Sequence, residues 1–205
     1  MAIVVSLAEH RRSRARTRAR RAVFCFDLAD PATYLAAERV ERLPASVVWQ
    51  PACAPSLPRP APAAVEERAA ALRLPLVWPD PHPAPVPRAQ RAAAFAAEQG
   101  RGAEFVLAAS RLAFCGGFDL DDPEVLAEAA AAAGVPLDDC LAAAADRERD
   151  EAIERCGQFL LAHGADALPV VQIGRVLFAG ERRLADAAAA LRDPGLATAR
   201  ARARD

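Results

Sequence analysis

Cysteine, histidine and aspartate are the side chains here that could act on a substrate. The chain has five cysteines, Cys25, Cys53, Cys115, Cys140 and Cys156. None forms a C-x-x-C pair, and none joins histidine at zinc-ligand spacing. That excludes a zinc finger and a disulfide scaffold. A dithiol at the start of a helix, as thiol–disulfide exchange requires, is also absent. Cys25, Cys140 and Cys156 read as buried, inert thiols, whereas Cys53 sits in a loop beside Pro51 and reads as exposed. His82 titrates near neutrality and is a candidate acid or base, although a lone histidine in a Pro-rich loop also fits a surface position. Asp30-Pro31 reads as a helix N-cap followed by the first helical residue. The Asp30 carboxylate could also serve as a base.

These groups need a scaffold, and the composition allows one. The chain has 205 residues, 53% apolar and 26% charged. That suits one domain with a packed core. Basic and acidic residues number 26 and 27, for a net charge of −1. A dedicated nucleic-acid binder is usually strongly basic, so no specific nucleic-acid partner is expected. No apolar run is long enough to span a bilayer, so no membrane partner is expected either. Residues 1–21 end in an arginine-rich stretch and read as a disordered extension. Charge follows the apolar residues there, the reverse of an export signal. A reducing, cytoplasmic location is therefore expected. Residues 193–205 read as a C-terminal tail.

The folded part, 22–192, alternates strand and helix. AVFCFDL (22–28) reads as a buried strand. A helix follows over about 31–42, then a strand at Ser46–Trp49 closed by Pro51. Twelve of the 17 prolines fall in 44–87, which predicts irregular chain with one short helix near 63–72. Residues 74–78 read as extended. From 88 to 163 the pattern is helical. Breaks at 100–102, 116–117, 122–123 and 134–136 predict about five helices. Residues 168–173 and 176–178 read as a hairpin across Gly174-Arg175, and a last helix covers 185–191. Right-handed crossover makes the first two strands a parallel pair. The fold class is α/β, with the helical block, about 63–163, inserted before the final hairpin.

Several segments resemble one family. FCFDLADPATYLAAERV (24–40) is similar to an opening that reads aromatic-x-Φ-D-x-x-S-P-x-x-Y-L-A. VVWQP (47–51) is similar to a strand ending in W-R-P. RLPLVWPDPHP (73–83), the helical stretch 91–126, and ALPVVQIGRVLFAGERRL (167–184) continue the match. The pattern resembles 2-hydroxychromene-2-carboxylate isomerases and kappa-class glutathione transferases, a branch of the DsbA-like thioredoxin superfamily. The resemblance implies a thioredoxin-like fold, with the helical insertion between the second strand and a cis-proline strand. It also implies glutathione as cofactor, a small aromatic acid as substrate and a homodimer. Glutathione thiolate would add reversibly to the conjugated substrate, allow a bond to rotate, and leave unchanged.

Carried over by residue, Asp30 stands at the family's Ser position. An ionised Asp cannot donate to a thiolate, and its charge raises a neighbouring thiol's pKa. Asp30 could therefore serve as a catalytic group only when protonated, or as a base on another substrate. Pro169 stands at the cis-proline position, with Leu168 beside it to pair with the glutathione peptide. Glu181 and Arg182 stand where a Gln-Asp pair holds the γ-glutamyl end. Arg182 would repel an amine and could take a carboxylate instead. A solvated helix start is the other reading of both. Tyr34, Gln50 and His82 are the candidate substrate-binding residues. The alternative is a diverged, non-catalytic thioredoxin-fold binding protein that has lost the Ser at Asp30.

Overall fold

The computed structural model describes residues 21–192. The expected extension and tail lie outside these, apart from Arg21, which opens the first strand. Four strands form one sheet in the order β2-β1-β3-β4. They are β1 (Arg21–Phe26), β2 (Ser46–Pro51), β3 (Val170–Ile173) and β4 (Val176–Ala179). β1 and β2 are parallel, with Phe24 opposite Trp49 and Phe26 opposite Pro51. β3 runs antiparallel to both β1 and β4. The parallel pair and the hairpin agree with the sequence reading. The first strand ends at Phe26, two residues early, because the chain turns through Asp27 to reach the cap at Asp30. Pro51 does not close β2 but extends it, since the Phe26 carbonyl takes its bond from the next residue, Ala52.

Eight helices surround the sheet among the described residues. They are α1 (Pro31–Val40), α2 (Pro62–Leu72), α3 (Pro87–Glu98), α4 (Gly102–Phe114), α5 (Pro123–Ala133), α6 (Leu137–Ala145), α7 (Asp150–Ala162) and α8 (Leu184–Arg192). Helices α2 to α7 lie between β2 and β3, as the insertion reading requires. The break between α6 and α7 was not expected. It is made by Asp146, whose side chain accepts from Glu148 N–H and starts a short 3-10 turn. Asp30 and Asp122 cap α1 and α5, each accepting at 2.8 Å from the backbone two residues on. Such a cap contributes about 1 kcal/mol. α5 ends at Gly134, whose φ of 66° suits glycine.

Alternation along the strands separates two apolar layers. Ala22, Phe24 and Phe26 face the main core with Trp49, Val171 and Phe178, beside α1, α3, α4, α5 and α8. Phe24 meets Trp49 edge to face at 4.9 Å. Cys25 and Val170 face the other way, into a smaller cluster with Ala52, Ala54, Leu160 of α7 and Leu168. α7 lies close over that side at Gly157. A Cβ there would fall 1.7 Å from the Cys53 carbonyl oxygen.

Candidate functional site

The turn from β1 into α1 carries two carboxylates. Asp27 binds the turn to two distant segments. Its Oδ1 accepts from Ala29 N–H at 2.9 Å and from Gln90 Nε2 at 3.2 Å, and its Oδ2 accepts from Arg59 at 3.4 Å. Gln90 is itself buried, and also donates to the Ala52 carbonyl at 3.3 Å. Burial pushes the Asp27 carboxyl up, against the Ala29 and Arg59 contacts that lower it. Asp30 is only 3% exposed. Burial pushes its carboxyl up to about 7, and the Asp27 charge adds to the rise, while the Ala32 N–H and Arg59 oppose it. Asp30 is therefore a cap that also exchanges a proton near neutrality.

Beside this turn is a cavity of about 340 Å³. It runs between Ala32 and Leu35 of α1, Val65 and Arg68 of α2, Leu168, and Gly180–Arg182. Its walls are largely apolar, and its cations are Arg59, Arg68 and Arg182. The Leu168–Pro169 peptide is cis, as the family resemblance implied. The Pro169 carbonyl accepts from Gly180 N–H at 2.8 Å. No hydrogen bond to the Leu168 backbone is found among the described residues, so its amide groups are available beside the cavity.

The sequence-derived residues divide between this cleft and other places. Leu168, Glu181 and Arg182 wall the cavity. Asp30 lies at its α1 end but contributes no wall. The reading of Glu181 as a solvated helix start is corrected, because it is 6% exposed. Its carboxylate accepts from Arg68 Nε and Nη2, each at 2.9 Å, and from Arg39. A ligand ammonium would have to displace one of those guanidinium groups. Arg182 is exposed, as the surface reading had it.

Tyr34 is fully buried in the main core. Its hydroxyl donates to the Pro75 carbonyl at 2.8 Å and accepts from Cys115 at 3.1 Å. It takes no part in the cleft wall. Gln50 lies on β2 opposite Cys25, and its amide donates to the Pro51 carbonyl at 3.3 Å. The surface reading of His82 is corrected too. The ring is half-buried, tilted on Trp78 at 4.8 Å and edge-on to Phe114 at 6.0 Å. Desolvation, with Arg59 adding, holds its pKa below the usual histidine range. His82 packs near Leu28 and Ala29 rather than in the larger cavity. Two further cis peptides, before Pro81 and Pro83, shape that loop. They were not expected.

Sequence reasoning missed Arg39, Arg59, Arg68, Gln90 and the role of Asp27. Arg68 and Glu181 are 113 residues apart, and nothing in local spacing couples them. Among the described residues no cluster of three or more metal-ligating side chains exists. No helix there is long and apolar enough to cross a membrane.

No protein-family model and no curated protein matches the chain. Solved structures do. A 2-hydroxychromene-2-carboxylate isomerase superimposes with a TM-score of 0.67 at 15% identity, over 83% of this chain and 94% of its own. A probable DsbA oxidoreductase from Streptomyces coelicolor gives 0.66 at 19% identity, over 83% and 88%. The cytosolic disulfide reductase DsbM of Pseudomonas aeruginosa, solved with GSH, gives 0.54 at 19%, over 84% and 97%. Sheet order, the inserted helices, the cis-proline strand and these superpositions give the chain the thioredoxin-like fold of DsbA-type proteins.

Proposed function

We propose that the protein binds glutathione in the cleft between α1 and the cis-proline strand, and uses its thiol to isomerise a small conjugated aromatic acid. The observation that carries this reading is the cleft itself. It is largely apolar, bordered by the open amide of Leu168 and by Arg59, Arg68 and Arg182. An open amide beside a strand suits a peptide-like ligand, and guanidinium groups suit its carboxylates. A structural neighbour solved with GSH supports the same choice of cofactor.

Asp30 then takes the place of a hydroxyl donor. In its neutral form, the major one below about pH 7, it can donate toward a thiolate. Ionised, it opposes the thiolate by charge. Glutathione supplies the nucleophilic sulfur, and the chain's own groups hold its peptide and its carboxylates. A reducing, cytoplasmic setting and a homodimer belong to the same reading.

The test is glutathione-dependent isomerisation of a chromene-type carboxylate, followed by absorbance, with wild type and Asp30→Ser. Turnover that requires glutathione, and that persists in Asp30→Ser with a flatter pH profile, supports the reading. A second reading is a binding protein without thiol chemistry. The burial of Asp30 as a cap favours it. Ligand binding with no turnover in either protein would select that reading.

A further inference from the structure

Two cysteines that the sequence keeps 131 residues apart meet on the side of the sheet away from the main core. The sulfurs of Cys25 on β1 and Cys156 on α7 lie 3.9 Å apart, within S–H···S reach. Cys25 is 2% exposed and Cys156 is half-buried. The surroundings are apolar, from Ala52, Ala54, Leu160 and Val170. We infer that Cys25 and Cys156 form an oxidisable dithiol, which hydrogen peroxide converts to a disulfide joining β1 to α7.

The pair has the asymmetry such a reaction needs. Its more accessible member is Cys156, and the deeper Cys25 is placed to resolve it. Hydrogen bonding to Cys156 and burial hold the Cys25 thiol high, and the same bond holds Cys156 below its ordinary range. The thiolate is the nucleophile. Cys156 thiolate attacks one peroxide oxygen, the O–O bond breaks, and hydroxide leaves to become water. Cys156 is now a sulfenic acid. The Cys25 sulfur attacks the Cys156 sulfur and forms the S–S bond. The sulfenic oxygen departs as a second water, carrying the thiol proton. The two sulfurs together lose two electrons, and the peroxide gains them.

The consequence reaches the cleft. A disulfide has its sulfurs about 2.05 Å apart, so closure from 3.9 Å ties α7 covalently to β1. Leu168 sits in the same apolar cluster and also walls the cleft, and Cys25 pairs with Val170, next to Pro169. Oxidation therefore places a crosslink beside the segment that the proposed ligand would touch. The dithiol itself does not depend on that ligand being glutathione.

The experiment treats the full chain with hydrogen peroxide, alkylates the remaining thiols in denaturant, and maps the peptides by mass. The expected product has lost two hydrogens, carries a Cys25–Cys156 crosslink, and retains three free thiols of the original five. A thiol reductant restores all of them. Cys53→Ser keeps the crosslink, with its rate changed less than twofold, whereas Cys156→Ser abolishes it and leaves Cys25 reduced. A disulfide between molecules through Cys53, a Cys53–Cys156 pair, or Cys156 sulfinic acid without a crosslink would overturn the inference.

Discussion

Asp30 is a buried carboxyl whose proton should be visible in stability. Its pKa in the folded protein is about 7, against an ordinary 3.8. At about 1.36 kcal/mol per decade, that gap corresponds to about 4 kcal/mol. The sign follows from which state holds the proton more tightly. Here the folded state does, so stability is fully present below about pH 4 and falls as pH rises toward 7. Asp30→Asn keeps the cap, because Asn caps as well as Asp, but removes the titration. The assay is urea unfolding of both proteins at about pH 4, 5.5, 7 and 8.5. The stability of Asp30→Asn relative to wild type should rise by about 4 kcal/mol across this range, with most of the change below about pH 7. Other groups titrate in both proteins and cancel in the difference. A difference that stays constant with pH would show that Asp30 ionises normally despite its burial.

Three further outcomes follow from named contacts. Glu181→Gln leaves Arg39 and Arg68 facing each other without a charge between them, and should cost about 3 kcal/mol in unfolding free energy; a loss below about 1 kcal/mol would mean that the pair is exposed in solution. Gly157→Ala puts a methyl group 1.7 Å from the Cys53 carbonyl, so a melting experiment should show a loss of about 3 kcal/mol or more, and wild-type stability would contradict the close approach of α7. Arg59→Ala removes a cation from the cleft and should weaken glutathione binding about tenfold by titration, with unchanged affinity placing the ligand elsewhere.

The parts of the fold that rest on local chemistry were legible in the sequence. Asp30-Pro31 and Asp122-Pro123 each combine a cap with a fixed φ, and each starts a helix. Gly134 ends one for the reason that glycine usually does. The site was harder to read, because its charges act over long separations. Glu181 follows a turn and looks solvated in isolation. It is buried because α1 and α2 bring Arg39 and Arg68 onto it. His82 looks like a loop residue until Trp78 and Phe114 close around it. Cys25 was read correctly as buried. That it meets Cys156 depends on α7 packing over that side of the sheet, which no spacing encodes.

The proposed function turns on whether the cleft holds glutathione. Calorimetric titration of wild type with glutathione, at low salt and about pH 6.5 and 8.5, tests this most directly. Binding is expected in the micromolar to millimolar range, weakening at the higher pH as Asp30 ionises, and Asp30→Ser should lose that pH dependence. Absence of heat from both proteins at both pH values would contradict it.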